Sequence, residues 1–351
     1  MIHQAMNKTK LCLLILLLLP ASLLFAAGEP TQKSILDALG YKEVVNVQLS
    51  FDLDALMADR NSDEQHAAEF SFKDENGNTQ EWDIKVNVRG KFRRVKCNEL
   101  PPLKLNFKKK DLEAAGLATF DDFKLVTYCV DDYNAAKELL LKEYLVYKMY
   151  NELTEQSFRV QLLNITYIDS KTGSKKRQMG FLIEDAAQLR ARIDAEKSEV
   201  ERVGAAERFD TKVAKTVALF QYMIGNADWE ITYSKNVKYV VKDEILIPIP
   251  YDFDFAAVVG ASYATYAKEQ YDQNSILDRV YLGFETSTSE LQETLAYFEE
   301  KKDDLYNVIY RFKRLSPDSR EEMIRYLDTF FENNQSLKFA ANRVPVVNTA
   351  P

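Results

Sequence analysis

The hydrophobic period first changes near residue 134, from strand to helix, and that change points to folds that begin with a sheet and continue into a more helical part. Up to that point apolar residues alternate. Val45, Val47, Leu49 and Phe51 share one side of an extended segment that starts at Glu43, before Asp52 and Asp54 break it. Residues 67–73 and 80–88 flank Asp74-Glu75-Asn76-Gly77-Asn78, where Asn-Gly favours the left-handed backbone of a hairpin turn. Residues 103–107, entered through Pro101-Pro102, and 123–128 are two more strands. From 134 to 153 the period becomes helical: Leu139, Leu140, Tyr144, Tyr147, Met149 and Leu153 recur with no Gly or Pro between them.

Beyond this helix, residues 160–168 and 178–183 read as strands around the turn 170–174. Residues 186–203 are charged and expected to form a surface helix. Residues 210–224 form an apolar helix with Asp210 as its N-cap. A strand pair follows at 236–241 and 245–250, and helices run from about 286 to 331. The expected class is α+β, with a β-rich part at 28–185 that includes one long helix, a mostly helical part at 186–335, and a tail at 336–351. A cleft between two such parts is a common ligand site.

Residues 1–27 have the form of an export signal: Lys8 and Lys10, then an apolar run from Leu11, ending in Ala26 and Ala27. An uncleaved anchor is the alternative. No later segment is apolar enough to span a bilayer. Removing the two signal lysines takes the formal net charge from −8 to −10, which disfavours general nucleic-acid binding. The expected location is therefore exported, periplasmic or extracellular. There, Cys97 and Cys129 pair in a disulfide or stay as two buried thiols. Histidine is confined to His3 and His66, so His-dependent triads and histidine-ligated zinc are disfavoured. Chemistry must run on Asp, Glu, Lys, Arg and Asn, with a hard, oxygen-liganded cation where a metal is used.

The residues that need such a reason are Gly225-Asn226-Ala227-Asp228 and Pro250-Tyr251-Asp252-Phe253-Asp254. Acids in apolar surroundings are kept when paired or metal-bound. Phosphoryl transfer uses such parts. Lys104, between apolar neighbours in a strand, is a candidate to hold phosphates, although Lys85 and Lys124 sit in similar settings. Glu143 or Glu138 on the long helix would orient that lysine. Asp228 would be the base or positioner, with Asn236, Asp252 and Asp254 around the metal. Each has an ordinary alternative: a solvent lysine, an exposed helix glutamate, a helix-terminating loop, a turn asparagine, and a pair of buried salt bridges to Arg or Lys.

The segments Arg89-Gly90, Pro101 to Phe107, Gly180 to Glu184, Gly225 to Asp228 and Pro250 to Asp254 together resemble the spore-coat protein H (CotH-like) family of exported atypical kinases, over roughly residues 85–260. The resemblance implies a two-lobed atypical protein-kinase-like fold, ATP with Mg²⁺ or Mn²⁺, and transfer to Ser or Thr of a protein substrate. By motif, Lys104 would hold the phosphates and Asp228 would be the catalytic acid. Asp252 would bind the metal with Asp254 beside it. The segment with Phe181, Ile183 and Glu184 would face adenine. Two departures stand out. Asn236 is eight positions after Asp228, longer than the Asp-x-x-x-x-Asn spacing of kinases. In place of a Gly-rich loop, residues 89–94 offer one glycine and the basic groups Arg89, Lys91, Arg93 and Arg94. The alternatives are a catalytically inactive binding module with an envelope partner, and a glycoside hydrolase using paired carboxylates.

Overall fold

The computed structural model describes residues 32–333, apart from 98–99, 129, 131, 204–207, 267–270, 272 and 285–287. The export-signal, Cys129 and tail expectations lie outside these residues. No helix among the described residues is long and apolar enough to cross a membrane.

The alternating segments become β1 (Val44–Phe51), β2 (His66–Lys73), β3 (Thr79–Val88), β4 (Leu103–Phe107), β5 (Asp122–Val126), β6 (Val160–Asp169) and β7 (Lys175–Ile183). They form a seven-stranded barrel sheet in the order β1-β2-β3-β4-β5-β7-β6. Each neighbouring pair is antiparallel except β1 with β6, whose parallel pairing joins the two ends. The Asn76-Gly77 hairpin sets the β2–β3 register, with Lys73 opposite Thr79 and Gly77 at φ +83°. Alternation then sends Leu49, Phe70, Val86, Leu105, Phe107 and Phe123 inward as one core. Phe107 meets Phe70, Trp82 and Phe123 edge-on, at centroid distances of 5.6, 6.0 and 5.8 Å. Truncating such a ring to Ala costs about 3–5 kcal/mol. Three short helices sit in the barrel connections: α2 (Leu53–Ala58), α3 (Lys91–Lys96) and α4 (Lys109–Ala114), after α1 (Ile35–Leu39) at the start.

The long periodic segment is α5 (Tyr133–Leu153), inserted between β5 and β6 and capped by Asp132, whose side chain accepts from the Ala135 amide. It shares a second core with α7 (Thr211–Ile224), the outer side of β6 and β7, and the last helices, α8 (Thr288–Glu300), α9 (Lys302–Arg311) and α10 (Pro317–Asn333). Asp210 caps α7 as its sequence predicts, accepting from the Val213 amide. The charged stretch after 186 departs from expectation. Only α6 (Ala186–Arg192) is helical. Asp194 then takes a positive φ, and β8 (Glu196–Lys197) adds to the sheet of β9 (Val237–Lys242) and β10 (Ile245–Pro250). Charge marks a solvated segment but not its period, so composition alone misassigned it.

Two glycines are dictated by space. A Cβ on Gly180 would lie 2.8 Å from the Val126 carbonyl, so β7 can approach β5 this closely only with Gly there. Gly225 ends α7 with φ +67°, and a Cβ there would collide with Tyr326 and Ala257.

Candidate functional site

α5 carries Glu143 and, one turn on, Tyr147, so both face the same way. Opposite them, the chain leaves β10 and turns at Asp252, whose φ of +65° places a non-glycine residue in the left-handed region. The Tyr147 hydroxyl accepts the Asp252 amide at 2.9 Å and holds that turn. Sparsely populated backbone of this kind costs on the order of 1–3 kcal/mol and collects at functional sites.

Arg93 of α3 reaches into the turn. Its Nη2 lies 2.8 Å from Glu143, 2.8 Å from Asp254 and 3.8 Å from Asp252, and its Nε donates to Asp254 at 3.1 Å. The Tyr263 hydroxyl adds a bond to Asp254 at 3.0 Å. Arg93, Glu143 and Asp254 are all buried. For Asp254 the salt-bridge alternative is therefore realised. Burial opposes the charge on Arg93, but Asp254 and Glu143 hold its pKa well above the ordinary value. Burial pushes the Glu143 carboxyl up to about 8, against the pull of Arg93 and with repulsion from Asp254 and Asp252. Burial raises Asp254 as well.

Among the described residues, Glu143, Asp252 and Asp254 place oxygens within 4.8 Å of one another. That is close enough to share one hard cation, which takes carboxylate oxygens at about 2.0–2.6 Å. Glu143 Oε1 is buried with no hydrogen-bond partner, so the donor set fits Mg²⁺ or Mn²⁺. Glu138, the other glutamate considered, is engaged elsewhere: it accepts from the Ser316 amide and hydroxyl at 3.1 and 2.7 Å, just ahead of α10.

The second acidic element follows α7. Asn226 is buried and donates to Gln221 at 2.9 Å, while its side-chain oxygen accepts the Asp228 amide at 2.9 Å. Asp228 is partly exposed and pairs with Lys235 at 2.6 Å. Despite the eight-residue spacing, the Asn236 amide donates to the Asp228 carboxylate at 3.0 Å and to its carbonyl at 2.6 Å. The Asn236 carbonyl in turn accepts the Tyr251 amide at 3.0 Å. Asn236 thus links Asp228 to the residue before Asp252.

The lysine positions separate clearly. Lys104 and Lys124 stand directly opposite each other on β4 and β5, on one face of the sheet. Lys104 is half-exposed and pairs with Asp122 at 2.8 Å. Lys124 lies on the strand next to β7, opposite Ile183, with its ammonium 4.7 Å from the centroid of the Tyr251 ring. Burial lowers its pKa to about 7, helped by Arg89 and Lys238 and opposed by Asp252 and Asp122. The lysine whose charge senses Asp252 is therefore Lys124, and Arg89 belongs to the same cationic group.

The segment expected to face adenine is committed to structure. Phe181 is fully buried against Tyr144 and Tyr147. Ile183 is buried between β5 and β6. The Glu184 carboxylate is held by Arg159 at 2.8 Å and by Arg192 at 2.9 Å. Sequence reasoning missed Arg93 as the partner of the acids, as well as Tyr147, Tyr263 and Lys235. The available signal for Arg93 was the basic run at 89–94 together with acids that required compensation, although the two are far apart in the sequence. Cys97, at the end of α3, is disulfide-bonded.

No protein-family model matches the chain, and no curated protein matches it. Among solved structures, a chain of the Shewanella oneidensis MR-1 toxin–antitoxin system of HipA, HipB and operator DNA is similar at 14% identity and a TM-score of 0.33. The match covers 66% of this chain and 62% of that one. At that TM-score the likeness carries no weight for fold or function.

Proposed function

We propose that the chain is an exported kinase-like phosphotransferase that moves the γ-phosphate of ATP to a Ser or Thr hydroxyl of a protein, with the β-rich part and the helical part as its two lobes. The single observation that carries this reading is the position of Asp252. It is pinned by Tyr147, set among Glu143, Asp254 and Lys124, and tied through Asn236 to Asp228. The spore-coat protein H resemblance points the same way.

In this reading Asp252, Asp254 and Glu143 would hold Mg²⁺ or Mn²⁺, which supplies charge neutralisation at the phosphates. Lys124, with Arg89, would take the role first considered for Lys104, holding phosphate oxygens. Asp228 would orient the acceptor hydroxyl and take its proton as that oxygen bonds to the γ-phosphorus. The bond from phosphorus to the bridging oxygen breaks, and ADP leaves. Lys235, paired with Asp228, would offset charge on the transferring group. Asn236 would orient Asp228.

A second reading, an inactive kinase-like module with an envelope partner, draws support from Arg93, which already neutralises part of the acid cluster. Transfer of label from γ-³²P-ATP to a generic acceptor protein or to the chain itself separates the two. Metal-dependent labelling that Asp228→Asn abolishes is expected. Labelling absent under both Mg²⁺ and Mn²⁺ favours the inactive module. The glycosidase alternative loses ground, because Asp254 and Glu143 are buried on one guanidinium rather than set across an open groove.

A further inference from the structure

We propose that Arg93 is a built-in stand-in for the metal, an autoinhibitory latch that a divalent cation must displace to enter the acid cluster. This rests on the reading that Glu143, Asp252 and Asp254 take such a cation. One nitrogen, Nη2, lies 2.8, 2.8 and 3.8 Å from oxygens of Glu143, Asp254 and Asp252. It lies among the three carboxyl groups that such an ion would share. Guanidinium and metal therefore exclude each other there.

The cluster is not satisfied by its latch. Three carboxyl groups face one guanidinium, and Glu143 Oε1 remains buried without a hydrogen-bond partner. A divalent ion carries one more charge than Arg93 and takes more oxygen ligands at shorter range. Exchange therefore relieves both deficits, at the cost of withdrawing the Arg93 side chain.

That movement is local. α3 has six residues, and its N-cap, Gly90, has φ +81° and makes no side-chain cap bond. Val95 is exposed, so apolar burial at that position does not hold the helix. Among the described residues it is tied by polar and covalent contacts. Arg60 donates to the Arg94 and Cys97 carbonyls, Arg94 donates to the Val88 carbonyl at 3.0 Å, and Cys97 is disulfide-bonded. These restraints keep the two ends of α3 in place, while Arg93 is the described side chain that projects from it into the site. Withdrawing one side chain opens the cluster without unfolding the barrel.

The test is a titration of the full chain with Mn²⁺ alone, with free ion read by electron paramagnetic resonance. Arg93→Met should bind Mn²⁺ at least about tenfold more tightly than the wild type, about 1.4 kcal/mol. Should Arg93→Met fail to fold, Arg93→Lys keeps the positive charge but loses the fork, and it should still bind more tightly than the wild type. Equal or weaker binding by the folded variants, with binding lost in Asp252→Asn, overturns the latch and leaves the cation reading standing. No Mn²⁺ binding by any of the proteins overturns both.

Discussion

Two acidic elements of this molecule solve opposite problems. At the end of α7, Asp228 is partly exposed and paired one-to-one with Lys235, and Asn236 satisfies its remaining oxygen. At the end of β10, partly exposed Asp252 and buried Asp254 join buried Glu143 around a single guanidinium. The first is a one-to-one pair at a partly exposed carboxylate. The second gathers three carboxyl groups, two of them buried, on one buried guanidinium. The contrast teaches that the apolar surroundings of an acid matter less than its charge count. An unbalanced buried cluster calls for a cation, whether an arginine or a metal.

The largest effect expected is on transfer. Asp252→Asn should lower phosphate transfer by on the order of a hundredfold or more, because charge stabilisation by a metal is worth several kcal/mol. Lys85→Ala, outside both elements, should leave the rate unchanged in the same assay. Equal losses would erase the distinction between the buried cluster and the rest of the surface.

Stability sharpens the contrast next. Removing Arg93 as Ala leaves buried carboxylates uncompensated and should cost about 3–5 kcal/mol in urea denaturation. Lys235→Ala, which opens a partly exposed pair, should cost no more than about 1 kcal/mol. Similar costs for the two variants would break the comparison.

The antiparallel strands and the two long helices α5 and α7 were legible in the sequence because their periods are strict and their turn residues unambiguous, whereas the parallel β1–β6 pairing that closes the barrel was not. Asn76-Gly77 and Asp210 act where they stand. The site was legible only as a set of acids. Lys104 and Lys124 have the same local pattern, and only the folded chain shows that Lys124 is the one lying over Tyr251, next to Asp252. Arg93 could not be assigned because its partners lie 50 and 161 positions away in sequence. Glu184 looked available until two arginines from separate segments converged on it. Local sequence encodes period and caps, whereas charge pairing at long range is decided by closure of the sheet.

A smaller effect concerns pH. The Glu143 carboxyl has a folded-state pKa of about 8, above its ordinary 4.5. The folded chain therefore keeps a proton that the unfolded chain loses. This contribution to stability is full below about 4.5 and falls away as pH rises to about 8. Glu143→Gln should flatten that decline in melting temperature, while Asp228→Asn should leave it in place. An unchanged slope in Glu143→Gln would place the titration elsewhere.

Whether the chain is built to hold nucleotide through the cluster at Asp252 can be read in one thermal melt of the purified protein with millimolar ATP and Mg²⁺ or Mn²⁺. Ligands that bind only the native state stabilise it in proportion to the logarithm of their concentration over Kd. A rise in melting temperature that needs both nucleotide and metal, and that disappears in Asp252→Asn, is expected. An identical melting temperature with and without them, in the wild type and in Arg93→Lys alike, would contradict it.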